Sequence, residues 1–310
     1  MSILNEKVTE DYAAYHADCI QYIKTVPDNS LDFSISSPPF SSLYIYSESE
    51  ADMGNSSSDE EFFEHYRFLV QELYRAMRPG RLVAIHVKDL VYYQGSSESG
   101  TAGLRPFSDD CTKLYMECGF DFHSRITIWR DPVLERSKTN AHGLLWKTFQ
   151  KDSTFCRVGM PEYLLVFRKW TKEGEEDLVK PVTHPKEGKY ATVKPWQELA
   201  SPVWNYQPGQ SGFGDLDLPA TDVLNVKIAR DDRDEKHLCP MPLNITERAI
   251  ELYTNEGDVV FSPFMGIGSE GYKALEMGRK FIGTELKEAY FKQAIKHLDM
   301  AKKQTQDLFA

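Results

Sequence analysis

Two short segments far apart in the chain carry the residues best suited to chemistry. The first is Ser37-Pro38-Pro39-Phe40, where a hydroxyl group is followed by two proline rings of fixed φ and by an aromatic ring. The second runs from Pro263 to Ser269, and its glycines let backbone N–H groups approach a ligand. Each segment alone has a simpler interpretation, as a rigid turn after a strand or as a plain strand-to-helix connection.

An acidic residue at a particular spacing favours ligand binding by the glycine segment. A strand-like run, 258–261, precedes the glycines, and a second strand-like run ends at Glu285, 17 positions after Gly268. Doubly wound folds place an acid at the end of that second strand, where its carboxylate binds ribose hydroxyls. The spacing therefore predicts that Gly266, Gly268 and Glu285 hold a ligand that contains a ribose.

Strand-like and helix-like stretches alternate around both segments. Apolar runs predict strands at 31–36, 81–87, 122–129, 162–168, 258–261 and 280–285. Helices are predicted from Asp59 to a stop at Pro79-Gly80, at 109–117, 246–253 and 271–277, and from Glu288 onward. This alternation is typical of a doubly wound α/β fold, in which helices cover both faces of a parallel sheet.

In this order, the two segments resemble the amino-directed DNA methyltransferases of the permuted (beta) class, in which the catalytic segment precedes the cofactor segment. The longer run from Ser36 to Ser47 resembles phage and prophage DNA methylases in particular. The resemblance covers most of residues 10–168 and 220–300. It implies a Rossmann-like sheet, S-adenosylmethionine as cofactor, and methyl transfer to an exocyclic amine of a base flipped out of double-stranded DNA.

The resemblance also implies a set of cofactor-binding residues. The family segment Asp-Pro-Phe-x-Gly-x-Gly-Thr corresponds to 262–269, so Ser262 stands where the family has an acid. The contact of that acid to the methionine ammonium must then come from another residue, for which Asp18 is a candidate. The segment around His237 is expected to close over the methionine end. The remaining expected contacts are Pro263, Phe264, Gly266, Gly268, Ser269 and Glu285.

The catalytic roles follow from the same resemblance. The Ser37 hydroxyl and the Pro38 carbonyl are expected to accept the two N–H bonds of the target amine, because fixed acceptors stabilise the positive charge that develops on nitrogen. Pro39 rigidifies the segment, and Phe40 offers a ring for stacking on the base. Serine at the first position favours cytosine N4, while adenine N6 stays open as nearly equal. A cysteine-mediated attack on a ring carbon is not indicated, because Cys239 precedes its proline instead of following one.

The charge distribution bears on DNA binding. The net charge is −11, yet the stretch from Arg125 to Arg157 holds seven basic against three acidic residues. A basic face on an acidic enzyme can still follow phosphates, so this stretch predicts a DNA contact surface, with a solvated surface as the alternative. The expected DNA-binding residues are Arg130, Arg136, Lys138 and Lys147.

Three regions are expected along the chain. Residues 1–168 form the catalytic half, with part of the recognition surface at 130–160; residues 169–230 form a target-recognition insertion; residues 231–310 form the cofactor-binding half. The five cysteines make no CxxC pair, which indicates a reducing cytoplasm and no structural metal. No membrane-spanning run or signal peptide is evident. A homodimer is left open.

Two rival functions remain at this stage. One is methylation of RNA or of a protein glutamine, which related Asn-Pro-Pro-Tyr segments perform, although the large region 125–230 favours DNA. The other is a catalytically silent nucleic-acid-binding protein of the same fold, for which the altered residue Ser262 is the sole hint.

Overall fold

The computed structural model describes residues 3–39, 53, 56, 58–95, 100–130, 132, 150–155, 159–204, 224 and 240–308. The strands are β1 (Asn5–Val8), β2 (Tyr12–His16), β3 (Leu31–Ser36), β4 (Met77–Val87), β5 (Leu90–Tyr92), β6 (Gly103–Arg105), β7 (Asp121–Ile128), β8 (Glu162–Arg168), β9 (Val203–Trp204), β10 (Val259–Ser262) and β11 (Lys280–Glu285). The α-helices are α1 (Cys19–Ile23), α2 (Asp59–Ala76), α3 (Phe107–Glu117), α4 (Lys194–Leu199), α5 (Leu243–Tyr253), α6 (Ser269–Glu276) and α7 (Glu288–Leu308).

Nine of the strands in the described part form one sheet, in the order β1-β2-β11-β10-β3-β4-β8-β7-β9. Strands β2, β11, β10, β3 and β4 are mutually parallel, whereas β8 runs antiparallel to both β4 and β7. The described strands β5 and β6 form a separate hairpin. The prediction of a doubly wound α/β fold is confirmed.

Helices cover both faces of the sheet through two apolar layers. One layer contains Ile245 of α5 and Phe291 of α7, and the other contains Phe62 of α2 and Leu114 of α3. Successive residues of a strand point to opposite faces, and accordingly Ala84 of β4 belongs to the first layer while its neighbours 83 and 85 belong to the second. Because the central strands are buried on both faces, their sequences are continuous apolar runs. These runs allow the strands to be predicted from the sequence.

The start of β4 differs from the prediction. The strand begins at Met77, not at Arg81, because Pro79 and Gly80 lie inside it. Met77 pairs with Leu31 and Leu82 pairs with Phe33, so β4 contains an irregularity between two regular stretches. Gly80 has a φ of +77° there, and its amide donates to the carbonyl of Lys169 at 2.8 Å. Pro79-Gly80 thus marks a bulge in β4 and not the end of the preceding helix.

Within the described part of the predicted insertion, residues 169–204, the segment around Lys180 packs against the amino ends of the parallel strands. Lys180 forms an ion pair with Asp258, the residue before β10, and the same carboxylate pairs with the buried side chain of Arg81. Further along the chain, β9 pairs with β7 at the edge of the sheet, and its residue Trp204 is completely buried. The interpretation of 169–230 as a recognition insertion stays a prediction. No helix within the described ranges combines the length and apolar character that spanning a bilayer requires.

Candidate active site

The topology brings the two sequence segments to one edge of the sheet. Strands β11, β10 and β3 are neighbours and parallel, so the residues that follow them leave the sheet at the same carboxyl edge. Ser37 follows β3, the glycine loop 263–268 follows β10, and Glu285 ends β11. In open α/β sheets, ligands bind outside this edge. The structure therefore places the expected catalytic segment beside the expected cofactor loop.

The Glu285 carboxylate is held from two sides. The Gly266 amide donates to its Oε2 at 2.9 Å, and the Lys287 amide donates to its Oε1 at 2.7 Å. The backbone carbonyl of Glu285 accepts from Ala17 at 3.1 Å, which connects β11 to the end of β2. The acid predicted to bind a ribose is thus fixed directly against the glycine loop.

Glycine is needed at the two positions of the loop for different structural reasons. Both have positive φ, +54° at Gly266 and +90° at Gly268. A Cβ on Gly266 would meet no atom within 4 Å, whereas one on Gly268 would lie 3.3 Å from Ala294 of α7. Gly266 therefore presents an open backbone face, and Gly268 is required for close packing of the loop on α7.

Residues from outside the loop fix its shape. The Thr284 hydroxyl donates to the Pro263 carbonyl at 2.8 Å, and the Met265 amide donates to the Thr284 carbonyl at 2.9 Å. On α7, the buried His297 ring bonds the Ile267 carbonyl through Nδ1 at 2.7 Å and the Gln293 side chain through Nε2 at 2.9 Å. Sequence reasoning missed His297 and Gln293, whose i, i+4 spacing on an amphipathic helix is their only signal.

Two buried hydroxyls near the loop lack partners, and a buried carboxyl lies beside them. The hydroxyls of Ser262 and Ser269 are buried without a hydrogen bond in the described part of the chain. Glu270 follows in the first turn of α6 and is 3% exposed. Burial raises the pKa of its carboxyl to about 8; a hydrogen bond from its own backbone amide opposes this rise, and repulsion from Glu285 adds to it. Groups of this kind need a polar partner, so the loop suits a ligand that is itself polar or charged.

These features fit S-adenosylmethionine, the cofactor that the sequence resemblance implies. The exposed backbone face of Gly266 and the fixed Glu285 carboxylate suit an adenosine, and the orphaned polar groups suit an amino-acid end. Phe264 is half-buried, with its ring centroid 6.2 Å from that of Tyr66, so part of the ring is available to a ligand. Pro263 and Ser269 are buried and support the loop.

Ser37 has a defined orientation. Its hydroxyl donates to the His86 carbonyl at 3.0 Å. A hydroxyl carries one proton and two acceptor lone pairs, so this bond uses the proton and leaves Oγ free to accept an N–H. Pro38 is buried, Pro39 is half-buried, and Phe40 lies outside the described residues. Ser37 can therefore accept a hydrogen bond, and its role in accepting the target amine stays a prediction.

The residue that orients Ser37 belongs to a buried ionic group. His86 bonds Glu162 Oε2 at 2.9 Å, and Arg130 donates to Glu162 Oε1 at 2.6 Å. Burial by itself raises the pKa of Glu162, but the charges and hydrogen bonds of His86 and Arg130 outweigh it and lower the pKa to about 2. Sequence reasoning missed His86 and Glu162, since each lies in an apolar strand and nothing in the pattern pairs them.

The structure therefore gives Arg130 a partner inside the protein. Its side chain is 15% exposed and is bound to Glu162. A contact of Arg130 with DNA stays a prediction. The other expected DNA-binding residues, Arg136, Lys138 and Lys147, lie outside the described residues, as does His237.

Asp18 lies at the same edge, directly after β2. Its Oδ1 accepts from the Gln21 amide at 2.9 Å, so Asp18 caps the amino end of α1. This bond occupies one of its two oxygens, and the contact with the methionine ammonium stays a prediction. Among the described residues, no group of three or more His, Cys, Asp or Glu side chains is arranged to hold a metal.

Comparison with known proteins agrees with this arrangement. The family model for N6/N4 methyltransferases, described as DNA methylase, matches residues 31–296. The DNA adenine methyltransferase YhdJ of Escherichia coli K12 is 24% identical over 291 residues, covering 92% of this chain and 82% of that protein. A shorter match, 32% identical over 110 residues, covers 36% of this chain and only 33% of the type II methyltransferase M.HindIII of Haemophilus influenzae.

Solved structures show the same fold. The cytosine-N4-specific PvuII DNA methyltransferase superimposes with a TM-score of 0.61 at 15% identity, over 97% of this chain and 92% of that one. TTHA0409 of Thermus thermophilus, solved in complex with S-adenosyl-L-methionine, gives a TM-score of 0.61 at 19% identity, over 92% and 94% of the two chains. The sheet described above is therefore a recurrent methyltransferase architecture.

Proposed function

Because the chain belongs to the N6/N4 methyltransferase family of DNA methylases, we propose that it transfers a methyl group from S-adenosylmethionine to the N4 amine of cytosine in DNA. The observation that carries this proposal is the orientation of Ser37, whose hydroxyl donates to His86 at 3.0 Å and keeps its lone pairs for a target amine. The glycine loop and Glu285 at the same edge supply the cofactor site.

The chemistry needs acceptors more than it needs a strong base. The lone pair of an exocyclic amine is delocalised into the aromatic ring, so the nitrogen attacks only as it becomes tetrahedral. S-adenosylmethionine would supply the methyl group: the nitrogen–carbon bond would form as the carbon–sulfur bond breaks, and one N–H proton would leave to solvent. Ser37 Oγ and the Pro38 carbonyl accept the amine hydrogens, which stabilises the charge that develops on nitrogen.

The target base is proposed from the first residue of the catalytic segment. Serine favours cytosine N4, in line with the cytosine-N4-specific PvuII enzyme of the same fold. Adenine N6 is the second candidate, supported by the similarity to the adenine methyltransferase YhdJ over 92% of this chain. A serine hydroxyl accepts a hydrogen bond from either amine.

The substrate is double-stranded DNA from which the target base flips into the pocket. Recognition is assigned to residues 130–160 and 169–230, where the basic stretch supplies phosphate contacts. The cytoplasm, where the reducing milieu suits the free thiols of Cys19 and Cys111, is the proposed place of action.

Nucleoside mass spectrometry tests the proposal. DNA from cells that express the protein is digested and compared with DNA from cells carrying an empty vector. N4-methylcytosine above the control supports the proposed base, N6-methyladenine assigns the second candidate, and unmodified DNA from cells that contain folded protein would refute methyl transfer to DNA.

A further inference from the structure

Ser262 leaves a chemical gap in the cofactor site. It corresponds to the acid of the family segment, which by the resemblance contacts the methionine ammonium. Its side chain is 0% exposed, and its hydroxyl has no hydrogen-bond partner in the described part of the chain. A neutral hydroxyl cannot balance an ammonium charge, so another carboxylate must do so if this chain binds the cofactor.

Glu270 has the properties that this role requires. It lies in the first turn of α6, two positions after Gly268, and is 3% exposed. The charge that acts on it among the described residues is the like charge of Glu285, although buried carboxylates are ordinarily paired with a cation. The adjacent Ser269 hydroxyl is also buried without a partner. Two unsatisfied hydroxyls and a buried carboxyl that accepts from its own backbone amide thus lie at the two ends of one ligand-binding loop.

The other carboxylates of the site are already engaged. Glu285 accepts from the amides of Gly266 and Lys287, and Asp18 caps α1 through the Gln21 amide. Both therefore accept from backbone amides of other residues, whereas the Glu270 carboxyl accepts from its own backbone amide. Of the three acids, Glu270 gains most from a cationic ligand group.

We propose that Glu270 supplies the carboxylate that binds the methionine ammonium of S-adenosylmethionine, in place of the acid that Ser262 replaces. This inference rests on the proposed function of the same site. The carboxylate thus stands at the start of α6 and not at the end of β10. The Ser262 and Ser269 hydroxyls then bind other polar atoms of the amino-acid end.

A proton is linked to this contact. With a pKa of about 8, Glu270 is mostly protonated at pH 7 before the cofactor binds. Among the described residues, the charge that acts on the Glu270 carboxyl is that of Glu285 on β11. On α7, His297 forms its hydrogen bonds with Ile267 and Gln293. An ammonium favours the ionised carboxylate, so binding at pH 7 should release close to one proton.

Calorimetry of full-length protein tests the proposal. Glu270→Gln should weaken S-adenosylmethionine and S-adenosylhomocysteine by a similar factor, roughly 10- to 100-fold, since both carry the ammonium. Affinity for 5′-methylthioadenosine, which lacks the amino-acid end, should stay unchanged. Proton release, measured in buffers of different ionisation enthalpy, should disappear in the variant. Glu276→Gln, at the other end of α6 and paired with Lys273, is the matched control and should match wild type throughout.

A relocation variant guards against a purely structural effect. Ser262→Asp combined with Glu270→Gln restores a carboxylate to the site and should regain most of the lost affinity. The proposal is overturned if Glu270→Gln binds S-adenosylmethionine as wild type does, if methylthioadenosine weakens equally, if S-adenosylhomocysteine is unaffected, or if the double variant regains nothing. Wild-type protein that binds neither cofactor form would instead refute the proposed function itself.

Discussion

The Gly266 amide donates a hydrogen bond of 2.9 Å to the Glu285 carboxylate. This bond joins the loop after β10 to the end of the neighbouring strand β11, so the two parts of the cofactor motif form one rigid unit. Because Gly266 has a φ of +54° and open space at its Cβ position, its backbone can face a ligand. The spacing of 19 positions between Gly266 and Glu285 thus corresponds to a direct contact.

A branched side chain at Gly266 should abolish cofactor binding. In Gly266→Val, the valine occupies the open space and strains a backbone of positive φ. Gly257→Val is a suitable control, since Gly257 also has a positive φ and open space but lies in the turn before β10, at the opposite edge. Calorimetry should show loss of S-adenosylmethionine binding in the first variant alone. Unchanged affinity in folded Gly266→Val would remove the loop from the site.

The buried ionic group should stabilise the protein against acid. The pKa of Glu162 lies at about 2 in the folded chain, below its ordinary value of 4.5. Its contribution is therefore present above pH 4.5 and is lost as the pH falls toward 2, with an upper bound of about 3 kcal/mol. In Glu162→Gln, thermal unfolding should occur at lower temperature at pH 7 and depend less on pH over that range. Parallel curves for the two proteins would contradict the assigned charges.

Glu270 should have the opposite effect in the cofactor-free protein. Its pKa is raised from 4.5 to about 8, so folding becomes less favourable as the pH rises through that window, by at most about 5 kcal/mol. Thermal unfolding between pH 5 and pH 9 should show a steeper loss of stability in wild type than in Glu270→Gln. A saturating concentration of S-adenosylmethionine should reduce the difference. An identical pH dependence in both proteins would place Glu270 in a solvated environment.

The basic stretch should govern the salt dependence of DNA binding. Neutralising Arg136, Lys138 and Lys147 removes phosphate contacts, which should flatten the slope of log affinity against log salt and leave cofactor affinity intact. Arg130→Gln is expected to differ, because Arg130 is bound to Glu162 and its loss should lower the unfolding temperature. A slope that is the same before and after neutralisation would make the stretch a solvated surface.

The sequence predicts the elements whose signal is local. Strands β3, β8 and β11 begin and end where their apolar runs do, because they are buried on both faces and bounded by turn residues or charges. Strand β9 has two residues and depends on the burial of Trp204 beside β7, a contact that no local pattern encodes.

The same distinction holds in the site. The positions of Ser37, Gly266 and Glu285 follow from strand ends and spacing. The pair His86–Glu162 does not, because its members are 76 positions apart and meet only through the antiparallel pairing of β4 and β8. The burial of Glu270 is likewise a tertiary property, since an acid in the first turn of a helix ordinarily reads as a solvated residue that favours the helix dipole.

The most direct test of the account is the single-turnover rate of Ser37→Ala at saturating DNA and cofactor. Ser30→Ala, which removes a hydroxyl bonded to Pro27 in an exposed turn, is the matched control. If Ser37 accepts an amine hydrogen as nitrogen becomes cationic, methyl transfer should slow by about 10²–10³ while DNA and cofactor affinities change little. A near-normal rate in Ser37→Ala would make the segment a structural turn and would contradict the active site described here.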